Sequence, residues 1–198
     1  YESNTFMLEA ALRKQGIQPQ VFVVEDNQQA TEKAIAEALK NNDLLLLSGG
    51  ISVGDYDFVK LSLENNKVEE VFYKIKQKPG KPLFFGKTEQ CTIFALPGNP
   101  AAALSCFYEY VLTAINVMMG SSVPQLPQLI MLISKSYRKK AGRANFLKGI
   151  TDFKTVTPLE GQGSDALQAF SLANCLIFTP EEKDVINAGE EVEIHLLP

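Results

Sequence analysis

The run Leu44-Leu-Leu-Leu47, apolar at every position, passes straight into Ser48-Gly-Gly-Ile-Ser-Val-Gly-Asp-Tyr-Asp57. A strand that is apolar on both faces needs cover on both faces, which a parallel sheet flanked by helices supplies. Upstream, Leu8, Ala11 and Leu12 fall at helical spacing, predicting a helix from Asn4 to Gln15 with Asn4 as N-cap and Gly16 as its stop. Gln20-Val-Phe-Val-Val24 reads as a strand, and alanine-rich Gln28 to Asn41 as a second helix. Helix, strand, helix, strand predicts a doubly wound, mostly parallel α/β sheet. It continues through a helix near Asp57 to Glu64, strands at Val71 to Lys78, Leu83 to Phe85 and Cys91 to Leu96, and a helix from Pro100 to Met118.

Gly120-Ser-Ser-Val-Pro-Gln-Leu-Pro127 sustains neither a helix nor a central strand, so it predicts a linker between an α/β domain at 1–121 and a second domain at 128–198. Beyond it, Leu129 to Ile133, Phe146 to Ile150, Leu176 to Thr179 and Val192 to Leu197 read as strands between turns, predicting a small all-β, barrel-like unit. The net charge of -4 gives no reason to expect nucleic acid as a partner. No run of about 18 apolar residues and no basic-then-apolar leader is seen, so neither a membrane span nor export is expected. Cys91, Cys106 and Cys175 lack the spacing of a zinc site or a disulfide framework, which fits a reducing cytoplasm.

Ligands of doubly wound sheets bind beyond the carboxyl ends of the strands. The loops to watch are therefore Glu25-Asp26, Ser48 to Asp57 and Pro97-Gly-Asn-Pro100, on one edge if the sheet is parallel. In the second loop, Gly49, Gly50 and Gly54 let backbone amides approach a phosphate and adopt positive φ, while Ser48 and Ser52 add hydroxyls. Asp55 and Asp57 beside a phosphate suit Mg²⁺, although a tight turn with Asp55 as helix cap needs no ligand. Lys74, Lys76 and Lys78 alternate, which on one strand places their ammonium groups on one face about 7 Å apart. That row fits an anionic ligand or a lysine-protected edge strand equally well. Pro79-Gly80 would fix the turn carrying Lys78 and Lys81. Asn99 as N-cap with Pro100 at the first helical position leaves free amides for an anion, and is also ordinary helix capping. Lys139-Lys-Ala-Gly-Arg143 reads as a basic turn, and His195 in an apolar strand as structural.

Taken in order and spacing, Ser48 to Asp57, Lys78-Pro-Gly-Lys-Pro82 and Leu96-Pro-Gly-Asn-Pro100 resemble the molybdopterin molybdenumtransferase family, which includes MoeA and the gephyrin E domain. Ser171-Leu-Ala-Asn174 lies in the β-rich tail, and the resemblance covers essentially the whole chain. It implies a molybdopterin-binding α/β domain and insertion of molybdate into adenylylated molybdopterin, with Mg²⁺ and release of AMP. Position by position, it implies acidic or metal-binding roles for Asp26, Asp55 and Asp57, and phosphate or molybdate contacts for Lys74, Lys78 and Lys81. Ser48, Gly49, Gly50, Ser52 and Gly54 would line the cofactor pocket with Pro82, Pro97, Gly98, Asn99 and Pro100, and Arg143 and Ser164 would complete an oxyanion site. The resemblance also implies a homodimer, molybdopterin adenylyltransferase as a partner, and a chain corresponding to a fragment of a longer enzyme. Competing readings are a non-catalytic molybdopterin-binding or scaffold module and an adenylyltransferase-like enzyme.

Overall fold

The computed structural model describes residues 3–51, 58–163 and 167–198. Ser52, Gly54, Asp55, Asp57 and Ser164 of the expected site lie outside them. The chain gathers into two compact units, one of Tyr1–Ile75 with Gly80–Leu104, the other of Lys76–Pro79 with Ser105–Pro198.

The first unit begins with α1 (Ser3–Lys14) and α2 (Gln28–Asn41). Gly16 ends α1 at φ 77, a left-handed turn that accommodates glycine without a Cβ clash, and its amide bonds the Arg13 carbonyl at 2.9 Å. Asn27 caps α2, its side chain accepting from the Ala30 amide at 2.9 Å. There follow β1 (Leu44–Ser48), α3 (Phe58–Asn65) and β2 (Glu69–Tyr73), then the short β3 (Gln77–Lys78) of the second unit. The chain returns for β4 (Phe84–Lys87) and β5 (Thr92–Leu96), and Pro100–Cys106 opens the next helix, α4. The sheet order is β1-β5-β4-β2. Ile35, Val59, Leu63, Phe84, Ile93 and Ala95 belong to its buried core.

The α/β class holds, but the expected mostly parallel sheet is mixed: β1–β5 is parallel, whereas β5–β4 and β4–β2 are antiparallel. Gln20–Val24 forms no strand, and residues 20–27 are exposed. Its β-branched composition suits a sheet, yet strand formation needs a neighbour to take its hydrogen bonds, and none of the described strands pairs with it. The expected strand Val71 to Lys78 is also broken, because Lys74 takes φ 65. Lys74 therefore falls in the first unit and Lys76 and Lys78 in the second, and the single row of ammonium groups is not formed.

In the second unit the helix continues through a π-turn, Phe107–Val111, into α5 (Leu112–Met118). The expected linker Gly120–Pro127 contains no helix or strand, yet the units divide earlier, between Leu104 and Ser105. The reason is that side chains from the π-turn bond within the second unit: Glu109 meets His195, and Tyr110 meets Gln77. The run Pro100–Met118 is long and apolar enough for a membrane span, with mean hydropathy 1.3, but 56% of it is buried inside the protein, as in a core helix.

The remaining strands are β6 (Gln128–Ile133), β7 (Tyr137–Arg138), β8 (Ala144–Thr151), β9 (Thr155–Pro158), β10 (Cys175–Thr179), β11 (Val185–Ile186) and β12 (Glu191–Leu196), with the short helix α6 (Gln168–Leu172) before β10. The order β10-β12-β6-β9-β8 closes through a β10–β8 pairing into a five-stranded barrel. Closure removes the sheet edges. Inside lie Ile133, Leu147, Val156, Ile177 and Ile194. β3 pairs in parallel with the first residues of β8, ahead of its pairing with β9, Gln77 opposite Ala144 and Lys78 opposite Asn145.

Candidate functional site

In the first unit the parallel register sets Ser48 beside Leu96, so the loops after β1 and β5 leave the sheet at the same end. The two loops are joined by Asn4, which the sequence suggested as a cap. It lies within α1, is buried, and its amide donates to Ser48 Oγ at 2.8 Å, the Gly98 carbonyl at 3.0 Å and the Pro97 carbonyl at 3.4 Å. Two carbonyl acceptors fix which end of the side chain carries the N–H groups. Its Oδ1 is buried and has no hydrogen-bond partner among the described residues.

Gly49 and Gly50 take φ 84 and φ 70 in succession. A Cβ on Gly50 would stand 2.7 Å from Val59 Cγ2, whereas one on Gly49 would meet nothing within 4 Å. Only glycine serves at Gly50, and among the described residues the space over Gly49 is open. Gly98 is exposed, and a Cβ there would lie 3.9 Å from the Gly49 Cα, so the two loop backbones run side by side. Asn99 caps α4 as its sequence predicts: Oδ1 accepts from the Ala102 amide at 3.1 Å and the carbonyl from the Ala103 amide at 2.9 Å. Pro100 follows as the first helical residue. This assembly offers backbone amides, a serine hydroxyl and a helix N-terminus on exposed loops, a donor set suited to an anion.

The other expected residues of this unit are placed separately. The Lys74 ammonium sits 4.6 Å from the Tyr73 ring centroid, a cation–π contact, and its amide bonds the Leu83 carbonyl at 3.0 Å. Lys81 is exposed, Pro82 half-buried, and the Lys81 carbonyl accepts from Ile75 at 3.0 Å. Asp26 is exposed just ahead of the Asn27 cap, and no strand precedes it. Among the described residues no group of three or more His, Cys, Asp and Glu side chains is placed to hold a metal ion.

The second unit brings together two segments that the sequence left apart. Parallel pairing of β3 with β8 sets exposed Lys78 one register step from the pairing that follows exposed Arg143. The Ala144 amide bonds the Lys76 carbonyl at 2.9 Å. Lys76 is tied to Glu181 at 3.1 Å, an exposed pair worth little to stability. Buried Lys139 donates to the Arg143 carbonyl at 2.8 Å and the Glu181 carbonyl at 3.5 Å, fixing the basic turn. Burial lowers its pKa below the ordinary lysine value, although Glu182, Glu181 and Asp184 act in the opposite direction.

Five contributing residues were not among the expected site residues. Lys148 is buried and donates to the Gly163 carbonyl at 3.2 Å, beside the expected Ser164, while the Gln162 amide group bonds both the Lys148 amide and its carbonyl. Gln77 and Tyr110 bond each other, and Asn4 joins the glycine loops. The signal available for Lys148 and Gln77 was a polar residue at an inward position of a strand. His195 is structural, as expected: buried, with Nδ1 2.8 Å from Glu109 and Nε2 2.8 Å from Glu193.

The family model described as "Probable molybdopterin binding domain" matches residues 1–117, and that for the MoeA C-terminal region, domain IV, matches 132–197. The chain belongs to the MoeA family. It is 37% identical to a molybdopterin molybdenumtransferase of Haemophilus influenzae, covering all of this chain and 51% of that protein. It is 29% identical to one from a Nostoc species, covering all of this chain and 48% of the relative. The chain thus spans about half the length of these relatives of the MoeA family. The fold matches a molybdopterin biosynthesis moeA protein from Pyrococcus horikoshii, with TM-score 0.78 and 22% identity over all of this chain and 46% of that one. It also matches a molybdenum cofactor biosynthesis protein from Pyrococcus furiosus, with TM-score 0.79 and 22% identity over 98% of this chain and 64% of that one.

Proposed function

We propose that this chain forms the molybdopterin-binding and C-terminal parts of an enzyme of molybdenum cofactor biosynthesis that inserts molybdate into adenylylated molybdopterin and releases AMP. The observation that supports this most is the pair of glycine loops, Ser48–Gly50 and Pro97–Pro100, joined by the Asn4 amide and open above Gly49. Phosphate oxygens are recognised by such amides and by a helix N-terminus, and glycine allows the approach. In the second unit, Lys78 on β3 and Arg143 in the turn leading into the adjoining β8 supply exposed cationic groups, suited to an oxyanion such as molybdate. Within the first unit, Lys74 and Lys81 are proposed to meet phosphate or molybdate. Sequence segments 1–121 and 128–198 are taken as the two functional modules.

Mg²⁺ is assigned to Asp26 with Asp55 and Asp57, where it would neutralise phosphate charge. Of these, only Asp26 is described; it is exposed and, among the described residues, belongs to no group of three or more His, Cys, Asp and Glu side chains. We propose further that the protein acts in the cytoplasm as a homodimer and receives its substrate from an adenylyltransferase.

Calorimetric titration with molybdopterin and with its adenylylated form tests the proposal. Both are expected to bind, and binding should be lost in Gly49→Val, whose branched side chain fills the open surface and strains a left-handed backbone. Failure of either form to bind the unaltered chain would overturn the reading.

A further inference from the structure

Lys78 stands on a strand of only two residues, too short to hold a side chain in place by its ladder bonds alone. Its neighbour Gln77 points the other way and is 3% exposed. The buried amide is fully engaged: Nε2 donates to the Pro79 carbonyl at 2.8 Å and approaches Cys106 Sγ at 3.8 Å, and Oε1 accepts the Tyr110 hydroxyl. Gln77 thus ties the residue before Lys78 to the residue after it. A buried amide costs free energy unless paired at both ends, so the tyrosine is as necessary as the carbonyl.

Tyr110 is presented by the π-turn Phe107–Val111. The preceding residue, Glu109, is engaged with His195 at 2.8 Å, so two successive helical positions both reach buried partners. Successive residues of a regular α-helix point about 100° apart, and single π-turns recur at functional sites where a helix must present extra side chains to one region.

We infer that Gln77 and Tyr110 are positioning residues that clamp the Lys76–Pro79 segment and so hold the Lys78 ammonium where it meets an oxyanion. This rests on the reading of Lys78 given above. With the clamp intact, Lys78 enters binding with its backbone already ordered. Without it, binding must order the segment, and affinity falls by that cost.

The test titrates the full 198-residue chain with inorganic molybdate, comparing the unaltered protein with Tyr110→Phe, Gln77→Met, the double variant and Lys78→Ala. Tyr110→Phe removes a single oxygen and spares the fold, while Gln77→Met removes both ends of the clamp at nearly constant volume. Each clamp variant should weaken molybdate binding by roughly fivefold to tenfold. The double variant should be no worse than Gln77→Met, because both changes break one device. After reductive ¹³C-methylation, the Lys78 dimethylammonium signal should shift on adding molybdate in the unaltered chain, and shift less in Tyr110→Phe. A merely structural role would lower the melting temperature and leave that signal's response intact. If Lys78→Ala binds molybdate as well as the unaltered chain, or the unaltered chain does not bind it, the Lys78 reading fails and this inference with it. If Lys78→Ala weakens binding while both clamp variants keep full affinity and an unchanged Lys78 signal, the positioning role alone is overturned.

Discussion

Replacing Asn4 tests whether the two glycine loops are held by one side chain. Asn4 is buried, and its amide makes short bonds to Ser48 Oγ and the Gly98 carbonyl, at 2.8 and 3.0 Å, with a longer one to Pro97 at 3.4 Å. At about 1 kcal/mol net for each short bond, Asn4→Ala should cost about 2 kcal/mol. Exposure of Ser48 and Gly98 lets water take over part of the loss. Asn4→Asp keeps the shape but turns the donors into an anion facing two carbonyl oxygens. It should cost about 3–5 kcal/mol at neutral pH, because a buried charge is left unpaired. The sign with pH follows. The introduced carboxyl is favoured protonated in the fold, so its folded pKa is raised. The stability that the protonated form contributes is then fully present below about pH 3.9 and is lost as pH rises through the folded value. Amide hydrogen exchange at Ala95 and Leu96 of β5, read by NMR from about pH 5 to about pH 7, reports the first unit separately from the second. Protection should fall in the order Asn, Ala, Asp, and the Asp variant should recover part of it towards acid. Asp equal to or more protective than Ala at neutral pH would refute the assignment of Asn4 as a donor joining the loops.

Burial opposes protonation of His195, but hydrogen bonds and charge from Glu109 and Glu193 outweigh it and raise its pKa above the ordinary value. The stabilisation should therefore be complete below about pH 6.5 and fade as pH rises through the folded value, so the second unit's melting temperature should drop towards pH 9 in the unaltered protein and less in Glu109→Gln. Gly149→Ala places a Cβ 2.9 Å from Ile177 Cδ1 and Cγ1 and 3.1 Å from Cys175 Sγ, overpacking the barrel; urea unfolding should show a loss of about 1–3 kcal/mol. Burial raises the pKa of Cys91 and Cys175 to about 11 and that of Cys106 still further, so none should react with a disulfide reagent at pH 8 until the chain unfolds, when all should.

Local patterns made much of this protein legible. Gln28–Asn41 has helical spacing and forms that helix; Leu44–Leu47 forms the body of β1; Asn99-Pro100 caps and opens α4, because capping chemistry lies within a few residues of its partner. The glycine, lysine and proline motifs together marked the MoeA family. Tertiary structure decided what depends on partners distant in sequence. Gln20–Val24 has the composition of a strand but no described neighbour to bond, and Lys74 breaks a lysine row that alternation alone would have made continuous. Asn4, legible as a helix cap, bonds residues more than forty positions away, and Gln77 finds Tyr110 only once β3 lies against β8. Spacing along the chain fixes capping, turns and periodicity, whereas a buried amide's partner and a strand's neighbour exist only after distant segments have met.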